Sequence, residues 1–344
     1  MWHWFASRSK GSTLTINLAY RLSHYLSSRY PDAVVSNFDF LVSGFESEIY
    51  AFHLQRSASS GNSFILRLFT GDGATEKLVR EATGLALLQK VGYPVPGLLL
   101  QEPDAGILGK PFEIIDKLEG QALWPILATA ESRQAGQLLS RFGLLLRQLH
   151  RLDWHSFTPN SDAFQKTPTL LLEEIIAQYR SLYTKYNLKG FLQVTDWLEA
   201  QKYEIPVRPA VVHQDFHANN VFLCSNDQLC VIDWTQFSVS DFRIDLCWTL
   251  LIMGDLGNLD WGKQIFNAYV SDANGPVQHL EYFNVIVYMK LLASTVIAFT
   301  FSPEELGLRR EAVTLTREQV AVYKQLAQRL RNITGFAIPE LEKI

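Results

Sequence analysis

The stretch VVHQDFHANN, Val211–Asn220, sets two histidines, an aspartate and two asparagines directly behind an apolar start. Taken alone it is open to three readings: a cluster of metal ligands, a loop for phosphoryl transfer, or a polar turn beside a strand. Its neighbours narrow the choice. Val221–Cys224 and Gln228–Ile232 both have strand character, and the Ser-Asn-Asp-Gln stretch at 225–228 reads as the turn of a hairpin. Pairing Cys224 with Leu229 across that turn sets Asn220 opposite Asp233 at the open end. An amide oxygen and a carboxylate meeting at one point suit Mg²⁺, a hard cation that takes its other ligands from waters and phosphates. Asp215, in the loop leading into the same strand, supplies a second carboxylate able to take or orient a hydroxyl proton.

Working toward the N-terminus, Thr13–Arg29 repeats its apolar residues at helical spacing and is stopped by Pro31. Short strands are expected at Phe38–Val42, Ile49–Leu54 and Phe64–Phe69, separated by Gly-, Ser- and Asn-bearing turns. A helix over Thr75–Lys90 carries Leu78, Ala82, Leu85 and Leu88 on one face, with Gly92 just past its end. Two further strands are expected at Gly97–Gln101 and Phe112–Leu118. Three strands, a helix and two strands make a small sheet with one main helix. After Gly120 the pattern turns helical, and from Asp245 onward nearly all of it is helical.

The bulk composition fits this division. A chain of 344 residues with 47% hydrophobic content can bury a large core. A net charge of −4, with no Lys/Arg cluster along any element, leaves no footprint for nucleic acid. Cys224, Cys230 and Cys247 form no CxxC pair, so neither a disulfide framework nor a thiolate zinc site is expected, and a reducing cytoplasm is the expected location. The most apolar window, Val285–Phe301, is interrupted by Lys290, Ser294 and Thr295 and reads as a buried helix, not a membrane span.

With His213, Asp215 and Asn220 in the order H-x-D-x-x-x-x-N, then VIDW bearing Asp233 and DFRIDL bearing Asp241 and Asp245, the chain resembles the aminoglycoside phosphotransferase and choline kinase family, relatives of protein kinases. The resemblance covers roughly residues 37–250. It implies an α+β, bilobal, protein-kinase-like fold: an N-terminal helical extension over 1–36, a nucleotide-binding lobe over 37–118, and a mostly helical lobe over 119–344 that carries the catalytic loop and the acceptor site. By the same resemblance Asp215 is the catalytic base or hydroxyl-orienting group, and Asn220 and Asp233 hold Mg²⁺. Ser43, Gly44, Glu46 and Ser47 line the loop over the phosphates of ATP or GTP. Arg67 reaches the phosphates while paired with Glu81. The segment from Glu113 through Lys117 to Leu118 meets the adenine, and His213, Asp241 and Asp245 give structural support. The chain departs from the family pattern at Gln214, which stands where glycine is common, and at Ser240-Asp241, where the family usually begins Gly-Asp-Pro.

Only twelve positions separate Asp233 from Asp245, little room for the long activation segment of a peptide-phosphorylating enzyme. The expected acceptor is therefore a small hydroxylated molecule, aminoglycoside-like, an amino alcohol or sugar-like, with Trp248, Asp255 and Asp260 suggesting a cationic amine. Two other classes compete: a nucleotide-binding pseudokinase with a regulatory role, and a metal-dependent hydrolase using zinc on His213, Asp215 and His217.

Overall fold

The structure, a computed structural model, describes residues 13–43, 47–56, 61–158, 168–271, 275–301 and 317–343. The chain forms two compact units. One holds the chain up to Gln121 together with Val221–Gln236; the other holds Ala122–Asn220 and Phe237–Ile344.

In the first unit, helix α1 (Thr13–Arg29) precedes strands β1 (Val34–Ser43), β2 (Ser47–Gln55) and β3 (Asn62–Phe69), helix α2 (Ala74–Lys90), strand β4 (Leu98–Glu102), the short helix α3 (Ala105–Leu108), and strands β5 (Phe112–Asp116) and β6 (Gly120–Ala122). The main sheet has five strands in the order β1-β2-β3-β5-β4, every pairing antiparallel. Alternation sends Phe52, Leu54, Phe64, Leu66 and Ile114 to one face, where they pack with Leu22, Tyr25 and Leu26 of α1. Helix α2 buries Leu78, Ala82, Leu85 and Leu88, the face its periodicity predicts, and Glu81 with them. It ends at Gly92, whose φ of 75° is the left-handed conformation that a side chain would make costly.

The hairpin of β8 (Val221–Cys224) and β9 (Leu229–Val231) belongs to this first unit, although the chain on either side of it belongs to the other. Backbone bonds tie it there: Val231 N–H donates to Pro94 C=O and Ser225 N–H to Glu119 C=O, each at 2.9 Å. Trp234 is fully buried, its ring edge-on to Tyr93 at 5.9 Å. The register differs from the expected one. Val221 pairs with Val231 and Leu223 with Leu229, so the ladder is one residue out of the predicted alignment and includes neither Asn220 nor Asp233. The cause is the turn. Cys224 N–H bonds to Gln228 C=O, leaving a three-residue loop that closes at Asp227 in the left-handed region, φ 62°.

The second unit contains α4 (Leu123–Thr129), α5 (Ser132–His150), α6 (Pro168–Lys185), α7 (Lys189–Gln201), strands β7 (Pro209–Val212) and β10 (Ser238–Asp241), then α8 (Phe242–Leu250), α9 (Leu259–Val270), α10 (Leu280–Thr300) and α11 (Arg317–Thr334). Helix α10 is long and apolar enough, by length and composition, to cross a membrane, yet 67% of its apolar window is buried within the unit. Phe283, Ile286, Met289, Leu292 and Val296 pack there against Leu172, Phe191, Trp248 and Leu326, as a core helix does. Strand β10 has no apolar run to announce it. It exists because Ser238–Asp241 pairs with β7 in antiparallel register, Val239 facing Val211.

Candidate active site

The polar side chains singled out in the sequence fall into two groups, one in each unit. In the first, Arg67 on β3 is 8% exposed. Its Nη1 donates to both oxygens of Glu81 at 2.6 Å, its Nη2 to Asp233 Oδ1 at 2.8 Å and its Nε to Ser47 Oγ at 2.9 Å. Glu81 also accepts the backbone N–H of Trp234 at 3.1 Å, which ties α2 to the segment after β9. The planar fork of arginine makes this possible, since one guanidinium serves two carboxylates and a hydroxyl at once. Ser47, expected at a phosphate loop, is 3% exposed and spends its oxygen on Arg67. Gly44 and Glu46 lie outside the described residues, and of Ser43 only the backbone is described.

Glu113 pairs directly across from Arg67 in the β3–β5 ladder, and its side chain is fully buried with no hydrogen-bond partner on either oxygen. Burial, reinforced by the Glu81 charge and only partly opposed by Arg67, holds its pKa well above the ordinary carboxylate range. Farther along, the N–H groups of Asp116 and Lys117 are taken by the carbonyls of Gly97 and Ser63, at 2.8 and 3.1 Å. Leu118 follows as a half-buried residue beyond the end of β5.

In the second unit, β7 delivers the chain into the loop His213–Asn220, and β10 delivers Asp241 to the start of α8. Asp241 is fully buried, caps α8 through the N–H of Arg243, accepts the N–H of Arg208 and pairs with the Arg243 guanidinium at 2.7 Å. One turn on, Asp245 is also fully buried. It accepts the backbone N–H of His213 at 2.6 Å and that of Gln214, and lies 3.3 Å from His150 Nε2. The carboxylate thus clamps the loop at its two tightest residues.

Gln214 takes a φ of 64°, a strained choice for a residue with a Cβ. Among the bonds that hold it are its N–H to Asp245, its side-chain Nε2 to Ser238 Oγ at 2.8 Å, and its carbonyl to Lys290 Nζ at 2.9 Å. A glycine would take this conformation without strain; here a network holds it.

Asp215 stands at the tip of this loop. Trp248 Nε1 donates to its Oδ1 at 2.8 Å, and Asn220 Nδ2 donates to its backbone carbonyl at 3.0 Å and to its Oδ2 at 3.3 Å. Burial by itself would raise its pKa, but the nearby His217, Lys290 and His213 outweigh burial and hold it well below the usual carboxylate range. His213 is fully buried and accepts the N–H of Asp215 on Nδ1. With the amide NH₂ of Asn220 spent on Asp215, its carbonyl oxygen has no hydrogen-bond partner among the described residues. The Asn220 amide oxygen and the Asp233 carboxylate are each a hard oxygen donor of the kind Mg²⁺ prefers. Among the described residues no three His, Cys, Asp or Glu side chains converge to hold a metal, so the zinc reading of His213, Asp215 and His217 has no ligand set.

Trp248, Lys290 and Ser238 contribute to the site without having been read as site residues in these roles. The one sequence signal was Lys290, a basic residue in the middle of an otherwise apolar helix.

Residues 39–279 match the model of the phosphotransferase enzyme family. No protein of curated function matches the chain significantly. Among solved structures, a choline/ethanolamine kinase family protein from Mesorhizobium loti is 13% identical, with a TM-score of 0.60, covering 96% of this chain and 97% of the other. The choline kinase LicA of Streptococcus pneumoniae in complex with AMP is 17% identical, TM-score 0.57, covering 94% of this chain and 100% of its own. Aminoglycoside 2'-phosphotransferase-IIIa in complex with GDP is 15% identical, TM-score 0.53, covering 92% and 98%. At these identities the likeness is one of fold.

Proposed function

We infer the function from one premise, that the chain belongs to the phosphotransferase enzyme family, and propose that it transfers the γ-phosphoryl group of ATP or GTP to a hydroxyl of a small molecule in the cytoplasm. The observation that carries this reading is the mounting of Asp215. Its carboxylate is fixed by Trp248 Nε1 at 2.8 Å and by Asn220, on a loop clamped by buried Asp245. Such a carboxylate, kept charged by its surroundings, is a weak base but a good acceptor for a hydroxyl hydrogen. It orients the acceptor oxygen for in-line attack, which is the larger need where the transition state is loose. The acceptor oxygen forms a bond to the γ-phosphorus, the bond from that phosphorus to the β–γ bridging oxygen breaks, and the hydroxyl proton leaves toward Asp215 once the acceptor oxygen has become acidic.

Magnesium, when bound, would supply neutralisation of phosphate charge. Asn220 and Asp233 are the residues that would hold it, and the nucleotides bound to LicA and the aminoglycoside enzyme support a nucleotide co-substrate. Arg67, set by Glu81 and Ser47, would receive the phosphates. The test is turnover by the purified protein with Mg-ATP or Mg-GTP across hydroxylated acceptors, followed by nucleoside diphosphate release and phosphorus NMR of the product. Asp215→Ala is expected to lower kcat by about a thousandfold or more while leaving nucleotide affinity within a few fold. Wild-type turnover in that variant refutes the mechanism.

A further inference from the structure

The first unit has a hollow on the face of its sheet turned away from Arg67. Alternation along β2 and β3 sends Ser47 and Arg67 to one face and Glu48, Tyr50 and Leu68 to the other, the face that α1 covers. There α1, the sheet and the end of α3 leave a cavity of about 450 Å³, within the range of small-molecule sites. Leu18, Phe40 and Leu108 line it with apolar surface, and Arg21, Glu48 and Lys110 are its charged members. These charges do not balance. Glu48 is committed, its Oε1 to Lys110 Nζ at 2.7 Å and its Oε2 to the Tyr50 hydroxyl at 3.4 Å. Half-buried Arg21 has no carboxylate partner among the described residues. Its Nη2 donates to the Gly106 carbonyl at 2.9 Å, while Nε and Nη1 donate to no described residue. The carboxylates that flank α3 are taken, Glu102 by Tyr25 at 2.6 Å and Arg29 at 2.9 Å, Asp104 by the Gly106 N–H at 2.8 Å. Open space lies beside the guanidinium because Gly109 closes α3 at φ 90° without a side chain. Beyond its chain neighbours, the nearest heavy atom to the place a Cβ would take there is Arg21 Nη1, at 4.0 Å.

We propose that this cavity binds a small organic acid, a carboxylate on an apolar or aromatic body, with Arg21 receiving the carboxylate. The planar fork of arginine matches the two oxygens of a carboxylate, and such charge-assisted pairs are stronger than bonds between neutral groups. The apolar lining takes the body. A bare inorganic anion would leave that lining against water, and an uncharged apolar compound would cover the guanidinium without supplying an acceptor. The two features together select an acid that carries an apolar group. A cationic ligand would meet Arg21 and Lys110, with the Glu48 carboxylate already bonded to Lys110, and is disfavoured.

The test is isothermal titration of the full-length protein, without nucleotide, by matched probes that differ in charge. The pairs are 4-phenylbutyrate against 4-phenylbutyramide and indole-3-acetate against indole-3-acetamide, with acetate and inorganic phosphate as anions that lack an apolar body. Each acid is expected to bind about tenfold or more tighter than its amide, and acetate and phosphate to give no measurable heat at the same concentrations. In Arg21→Gln the acids lose about tenfold, the low end for a hydrogen bond to a charged group, while the amides are unchanged; Arg21→Lys, which keeps the charge without the fork, recovers part of the loss. Asn17→Trp, which sets an indole into the cavity from an exposed position of α1, weakens acid and amide alike and so locates the ligand. Equal affinity for acid and amide, acid binding untouched by Arg21→Gln or by Asn17→Trp, or no binding of either acid at millimolar concentration overturns the site. None of these results bears on the phosphotransferase reading, which turnover tests by itself.

Discussion

Replacing Asp245 with asparagine tests whether one buried carboxylate holds the His213–Asn220 loop. The side chain is fully buried and accepts the N–H groups of His213 and Gln214, with His150 Nε2 at 3.3 Å. Asparagine keeps the size but has one acceptor oxygen in place of two. One backbone N–H must then face an NH₂ group, leaving a buried donor unsatisfied at about 1–3 kcal/mol. The bond that remains loses its charged acceptor, roughly another 1–1.5 kcal/mol when bonds to charged and neutral groups are compared. Together these favour local opening by about 2–4.5 kcal/mol, or roughly one and a half to three decades in the opening constant. Native-state amide hydrogen exchange reads this where it happens. The amides of His213 and Gln214 are expected to exchange faster by about thirtyfold or more, while those in the middle of α10 keep their wild-type rates. Acceleration below about tenfold at the two loop amides would show that β7, β10 and the Gln214 side chain hold the loop without the carboxylate, and the argument for the clamp would fail.

Two further outcomes follow from the same geometry. Glu113 keeps a proton in the folded state that the unfolded chain releases near its ordinary pKa of about 4.3, so stability is present at low pH and lost as pH rises from there toward the raised folded value. Glu113→Gln should flatten that slope, and urea midpoints at about pH 5 and pH 8 should differ less than in the wild type; an unchanged slope means the carboxyl is not the buried acid described. Gln214→Gly removes left-handed strain of about 1–2 kcal/mol but also removes the 2.8 Å bond to Ser238, about 0.5–1.5 kcal/mol, and adds chain entropy to the unfolded state. The two sides nearly cancel, so thermal unfolding should shift by only a few degrees, whereas Gln214→Val, a branched residue at φ 64°, should unfold markedly lower.

The two groups differ in how far the sequence exposes them. The His213, Asp215 and Asn220 run was legible because loop chemistry is local: residues five apart in one tight loop must lie close whatever the rest does. The Arg67–Glu81 pair was legible for a related reason, since a strand, a short turn and a helix leave few places for the partner. The hairpin register was misread by one residue because strand character says where pairing occurs but not whether the turn holds three residues or four, and Asp227 in the left-handed region decided that. Strand β10 was missed because Ser238–Asp241 is polar and pairs only because β7 is beside it.

By itself the sequence determined most of the element types, the antiparallel sheet followed by a mainly helical stretch, and the polar loop that bears Asp215, because periodicity and short-range spacing are properties of the chain alone. Only the tertiary structure decided what surrounds that carboxylate. Trp248 lies 33 residues and Lys290 75 residues beyond Asp215, and no local rule links positions so far apart. Packing of α8 and α10 into one core brings an indole N–H and an ammonium to a single loop.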